Sequence, residues 1–131
     1  MRNVYNIDQF ETVHNECHFI LNEKKQLIQI QSTGQVVIVD SDNEAFLYII
    51  EENNAYSYLQ FSKAIWPQLV HMVLEHQIPF LRVEDGRIEL NNFVEELIAL
   101  LFNIEGNGNY GESFVTSVEH VFADFFARNE V

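Results

Sequence analysis

Three glycines, Gly106, Gly108 and Gly111, stand in the stretch IEGNGNYGESF (104–114) with the spacing G-x-G-x-x-G. In a dinucleotide-binding turn that spacing lets a strand feed a tight loop and aims helix N–H groups at a pyrophosphate. The neighbours argue against that chemistry here. The apolar spacing before the glycines is helical, and no Lys follows residue 63 to serve a phosphate loop. Glu105 and Glu112 place negative charge on both sides, which opposes an anion. The plainer reading ends one helix at Gly106, turns the chain at Asn107-Gly108 and caps the next helix with Asn109. Gly111 then falls in that helix's first turn. No nucleotide cofactor is expected.

His14, Glu16 and His18 alternate, so a strand would point all three to one side, with Cys17 facing the other way. Metal sites use this spacing, and a small metal-dependent enzyme built on the three residues is one alternative. No second cluster supplies the remaining ligands, so an unliganded strand edge is the plainer reading. His71 with Glu75, and His120 with Asp124, stand four residues apart, where surface contacts worth a few tenths of a kcal/mol are the common case. Cys17 reads as a small buried hydrophobe. The acidic pairs Glu51-Glu52, Glu84-Asp85 and Glu95-Glu96 fall in turns or at a helix start, where solvation and cap charge account for them. G-x-S-x-G, H-E-x-x-H and calcium-loop motifs are missing. The sequence thus leans away from an enzyme, with no catalytic, cofactor-binding or metal residues assigned.

The remaining constellation is aromatic. Tyr56 and Tyr58 lie on one side of a strand whose other side carries Ser57, Leu59 and Phe61. Tyr48 sits across the hairpin, and Trp66 follows shortly after. Exposed Tyr and Trp make rigid contacts at interfaces, which marks Tyr48, Tyr56, Tyr58 and Trp66 as a candidate partner-binding surface. Cross-strand pairing that only stabilises the hairpin is the plainer alternative.

These residues need elements to hold them. CHFIL (17–21) and LIQIQ (27–31) read as strands, the second alternating as a half-buried strand does. Gly34 marks a turn before VVIV (36–39), and SDNE (41–44) marks another before AFLYII (45–50). EENN (51–54) closes a hairpin onto YSYLQF (56–61). A short turn and a helix from about Pro67 follow, with Leu69, Val70, Val73 and Leu74 as its apolar stripe. IPFLRV and RIEL flank Asp85-Gly86, a strong hairpin signal. Asn92 with Glu95 starts a helix, and Asn109 with Glu112 starts the last one. The expected fold is one α+β domain over residues 1–131. It has an N-terminal antiparallel meander of about five strands, a helix, a β-hairpin, and a C-terminal αα-hairpin packed on the sheet.

With 131 residues, 47% of them hydrophobic, and with eleven Phe, the chain can bury a core without disulfide or metal. The lone Cys17 fits a reducing compartment. The N-terminus has no apolar leader pattern, and the longest apolar runs are far shorter than the roughly 20 residues of a membrane span. A cytoplasmic protein is expected. Net charge is −13, from twenty acids against seven bases. That field repels phosphate backbones and anionic lipid, so neither direct nucleic-acid nor membrane binding is expected. It leaves open an acidic, nucleic-acid-mimicking inhibitor of a basic protein.

Three segments carry a family resemblance: AYSYLQFSKAIWPQL, RIELNNFVEELIALLFNIEGNGNYGESFV and the final helix. Together they resemble an uncharacterised family of small acidic proteins from low-GC Gram-positive bacteria. The likeness covers roughly residues 35–125 and leaves 1–20 outside it. It implies a cytoplasmic bacterial protein and transfers no activity, cofactor or site residue. The functional expectation is a non-catalytic protein-interaction or accessory module, with a protein partner or a second copy of itself.

Overall fold

The computed structural model describes residues 3–21, 30–52, 54–83 and 86–129. The first strand, β1 (Asn3–Val13), turns back through His14 and Asn15 into β2 (Glu16–Leu21). Then come β3 (Ile30–Asp40), β4 (Ala45–Glu52) and β5 (Ala55–Ser62), with a turn at residues 41–44 between the first two. A short 3₁₀ turn leads into α1 (Trp66–Leu74), then the hairpin β6 (Ile78–Val83) and β7 (Gly86–Glu89). Three helices follow: α2 (Phe93–Ile104), α3 (Glu112–Val121) and α4 (Ala123–Arg128).

All seven strands form one mixed sheet in the order β3-β4-β5-β1-β2-β6-β7. The fold is therefore α+β, but the expected five-strand antiparallel meander is not what forms. Only β3-β4-β5 is a meander. The β1-β2 hairpin inserts beside it, with β1 parallel to β5 and β2 parallel to β6. The expected strand at 27–31 falls mostly outside the described residues, and Ile30 and Gln31 belong to β3. Gly34 is no turn: it lies inside β3 where the pairing with β4 slips between Thr33 and Val37. Such a slip is a bulge, and glycine suits it because the partner backbone comes close.

The apolar alternation sets the inner face. Tyr5, Ile7, Phe19, Phe46, Tyr48, Ile50, Leu59 and Phe61 point under the helices and are almost wholly buried. Trp66 meets Phe46, Phe114 and Phe122 at ring distances of 5.3, 5.9 and 5.9 Å. Phe93 meets Phe61, Tyr48 and Phe19 at 4.8, 5.4 and 6.3 Å. Pro67 sits in the first turn of α1, where its missing N–H costs no bond.

Two caps differ from expectation. Asn92 precedes α2 in the left-handed conformation and makes no side-chain cap bond; its Nδ2 donates instead to the Gln35 carbonyl of β3, 3.2 Å away. Asn109 does not cap α3, because Gly108–Tyr110 is a 3₁₀ turn and Asn107 Oδ1 accepts the Asn109 N–H at 3.1 Å. The last helical stretch also breaks at Phe122, so α3 and α4 are separate helices.

The bulge gives a direct test. A Cβ on Gly34 would stand 3.0 Å from Ile49 Cγ2 and 3.2 Å from the Ile49 carbonyl oxygen. Gly34→Ala is expected to destabilise the fold by about 1–3 kcal/mol in urea unfolding, as overpacking does. An unchanged midpoint contradicts the close β3-β4 approach.

Candidate functional site

The four aromatics do not form one surface. Pairing of Tyr48 with Leu59, and of Ile49 with Tyr58, sets Tyr48 on the inner face and Tyr58 on the outer. Tyr48 and Trp66 are fully buried, while Tyr56 is 62% exposed and Tyr58 half-buried. The Tyr48 hydroxyl donates to the Asn91 carbonyl at 2.6 Å, and Trp66 Nε1 donates to the Phe61 carbonyl at 2.9 Å. Burial pushes the Tyr48 hydroxyl above its ordinary pKa. Tyr48 and Trp66 are core residues with their polar atoms satisfied, which removes them from any docking face.

The alternating trio also separates. His14 lies in the β1-β2 turn with a positive φ of 53°, exposed. His18 is buried and held at both nitrogens: Nε2 stands 2.8 Å from Glu16 Oε1 and Nδ1 stands 2.8 Å from Arg82 Nη2. Arginine can only donate, so Nδ1 accepts and Nε2 carries the proton toward Glu16. Neither nitrogen is free for a metal in this arrangement. Among the described residues, no three His, Cys, Asp or Glu are grouped to hold an ion. The signal that the sequence withheld is distance along the chain: Arg82 and Arg87 reach Glu11 and Glu16 from another hairpin.

Cys17 is buried beneath α1, with Gln68 Nε2 at 3.4 Å. Burial pushes its thiol up to about 11, the state of an inert cysteine rather than a nucleophile. His71, Glu75, His120 and Asp124 are all exposed, and no ion pair among the described residues joins either pair. The glycine loop is likewise occupied from within. Gly106 takes φ 68°, and its N–H donates to Glu119 Oε2 at 2.8 Å. A carboxylate of the chain itself thus uses a backbone donor that a bound anion would need.

One feature of the sheet has no counterpart in the sequence reading. The pairing of β1 with β5 stops at Asn6 and Gln60. From there β5 runs only two residues further, to Ser62, paired with β4 alone before the 3₁₀ turn Lys63–Ile65, while β1 runs on to Val13 paired, among the described strands, only with β2. Along Asp8–Val13 the other edge of β1 pairs with no strand among the described residues. Asp8 is the extra residue of a bulge between Ile7 and Gln9, and it shifts the alternation so that Phe10 and Thr12 share the inner face with Phe19 and Cys17. Phe10 points inward yet stays 47% exposed, with the 3₁₀ turn and α1 across a groove from it. A groove of about 510 Å³ opens there, lined by Asp8, Phe10, Thr12, Ile65, Pro67 and His71 among others. The sequence signal was the phase itself: Tyr5 and Ile7 alternate, and Phe10 falls out of step.

The His18 bond, reinforced by Arg87, holds the Glu16 carboxyl below its ordinary pKa. Its folded-state pKa is depressed, so its contribution is present above the ordinary carboxylate range and lost as pH falls through the lowered value. In an NMR titration Glu16 is expected to protonate below the ordinary carboxylate range, and to move back up in His18→Ala. Equal midpoints in both proteins contradict the pairing.

Three comparisons place the chain. Residues 5–122 match the model of a family described as being of unknown function, UPF0738, so the likeness reaches well into the N-terminal strand. A UPF0738 protein of Lysinibacillus sphaericus is 41% identical over 128 residues, covering 98% of this chain and all of the relative. UPF0738 proteins of Bacillus mycoides and a Bacillus cereus strain are 37% and 36% identical over 122 residues, covering 93% of this chain and 99% of each. No solved structure matches. No helix among the described residues is long and apolar enough to cross a membrane. By the family match over most of its length and its similarity to these Bacillus and Lysinibacillus proteins, the chain belongs to the UPF0738 family.

Proposed function

We propose that the chain is a non-catalytic protein-interaction module of the bacterial cytoplasm, and that its docking element is the free edge of β1. The observation that carries this is the lane beside Asp8–Val13, which β5 vacates after Gln60 and which no other strand among the described residues fills. An extended segment entering that lane would hydrogen-bond along β1, and the groove at Phe10 would receive one of its apolar side chains. Strand addition of this kind draws affinity from main-chain bonds and specificity from side-chain pockets. A six-residue edge at about 3.3 Å per residue offers roughly 20 Å of contact, short but enough for a peptide. Asp8 at the groove, within a chain of net charge −13, favours a segment that carries Lys or Arg beside its apolar anchor.

Several facts weigh against catalysis. The titratable cluster at His18 is closed on itself and Cys17 is sealed. Natural proteins usually blunt a free strand edge, and an apolar residue left half-exposed beside one invites a partner.

A photoreactive side chain at position 12 is expected to capture a partner polypeptide from the native cytoplasm through one contiguous segment. The same group at Tyr56, on the outer face, is expected to capture none. Phe10→Lys, which places a charge in the groove, is expected to abolish capture while the circular dichroism spectrum is unchanged. Equal capture at both positions, or undiminished capture by Phe10→Lys, contradicts the proposal. Capture of a second copy at position 12, with a dimer by light scattering, makes the partner the chain itself.

A further inference from the structure

Gln68 lies in the first turn of α1 and is only 8% exposed. Its Nε2 donates to Cys17 Sγ at 3.4 Å, while its Oε1 accepts from no partner among the described residues. Among those residues, Gln77 Oε1 is the one unpartnered side-chain atom that is also sealed from solvent. Gln68 Oε1 therefore keeps an open surface, and the space that Gln68 lines is the groove beside β1. Protein interiors pair nearly all their polar atoms, so an open acceptor on a residue this deep marks a place for a donor. Two more electron-rich groups border the same groove. Asp8 has no cationic partner among the described residues, and Phe10 presents a half-exposed ring. Ile65 and Pro67 supply an apolar wall.

Resting on the reading of β1 as a docking edge, we propose that the groove takes an arginine side chain of the docked segment. Its guanidinium donates to Gln68 Oε1 and to the Asp8 carboxylate and lies over the Phe10 ring, and its methylenes run along Ile65 and Pro67. Alternate side chains of a strand share a face, so the segment's apolar anchor enters the same groove beside the arginine. Other groups fit less well. A lysine ammonium has no plane to stack on the ring and no fixed fork to span the two acceptors. A tryptophan N–H satisfies Oε1 alone and leaves Asp8 unpaired. A carboxylate leaves Oε1 without a donor and meets Asp8 as a like charge. The start of α1 carries about half a positive charge, and the full negative charge of Asp8 outweighs it. His71, exposed on the far wall, opposes a cation only when protonated.

The test titrates the intact chain with acetyl-Thr-Leu-Thr-Xaa-Thr-amide, where Xaa is arginine, lysine, citrulline or norleucine, and follows ¹⁵N chemical shifts and amide exchange. The arginine peptide is expected to shift the amides of residues 68–71 and the Gln68 side-chain amide saturably. It is expected to bind about 10-fold tighter than the citrulline peptide, which keeps the shape and loses the charge, and several-fold tighter than the lysine peptide. Gln68→Met removes the open acceptor and Asp8→Asn removes the charge. Each is expected to weaken the arginine peptide several-fold, to leave the norleucine peptide unchanged and to keep the amide spectrum of the folded chain. Arginine binding no tighter than citrulline or norleucine, with slowed exchange at Asp8–Val13, overturns the arginine site and leaves the docking edge standing. Arginine-selective shifts without slowed exchange support the site and overturn strand addition. No saturable shift with any peptide, or undiminished arginine binding in both variants, overturns the proposal.

Discussion

Strand β1 bonds to β5 through Asn3–Asn6 and to β2 through Ile7–Val13, and among the described residues no other strand pairing connects β3-β4-β5 with β2-β6-β7. The parallel half joins residues more than fifty positions apart, a pairing whose loop-closure entropy must be met before its contacts form. A buried carboxylate fastens the start of β1. Glu52 Oε1 accepts from the Tyr5 hydroxyl at 2.5 Å, from Ser57 Oγ at 3.0 Å and from Asn3 Nδ2 at 3.3 Å. Three donors on one buried oxygen bring β1, β4 and β5 together at that end of the sheet, and such a network costs stability when it is only partly satisfied.

The aromatic layer is the other half of the same arrangement. Trp66 gathers Phe46, Phe114 and Phe122 under the helices, and Phe93 gathers Phe19, Tyr48 and Phe61. Ring pairs of this geometry add about 0.5–1.5 kcal/mol each beyond the area they bury. The cover ends at the distal half of β1. Phe10 faces the side on which Phe19 is sealed, yet it borders an open groove whose far wall is the 3₁₀ turn and α1 as far as His71. The groove is therefore a consequence of where β5 leaves the sheet. Gln77 is a second place where the packing is incomplete, since an unpaired buried amide oxygen costs about 1–3 kcal/mol.

Local patterns were legible in the sequence and long-range ones were not. The β4-β5 hairpin, the β6-β7 hairpin, Pro67 at the head of α1 and the apolar stripes of α2 and α3 all follow from spacing over a few residues. Gly106 ends α2 with a positive φ, as its position after the stripe implied. What failed depended on partners far away. Asn92 looked like a cap but bonds to β3, and Gly34 looked like a turn but makes room for Ile49. Tyr48 seemed to share a surface with Tyr58 until the register placed it opposite Leu59. A one-residue step in register moves a side chain through the sheet, and no short window of sequence contains that information. His18 shows the same limit, because the group that fixes its tautomer, Arg82, lies sixty-four residues away.

Amide hydrogen exchange along β1 in the isolated protein tests the split pairing most directly. Amides of Asn3–Asn6 that face β5 are expected to be protected. Over Asp8–Val13 protection is expected to alternate, slow where the N–H faces β2 and fast where it faces the vacated lane. Uniform protection from Asn3 to Val13 would mean that the edge is already paired. Loss of protection at Asn3–Asn6 would mean that β1 does not join the two halves of the sheet.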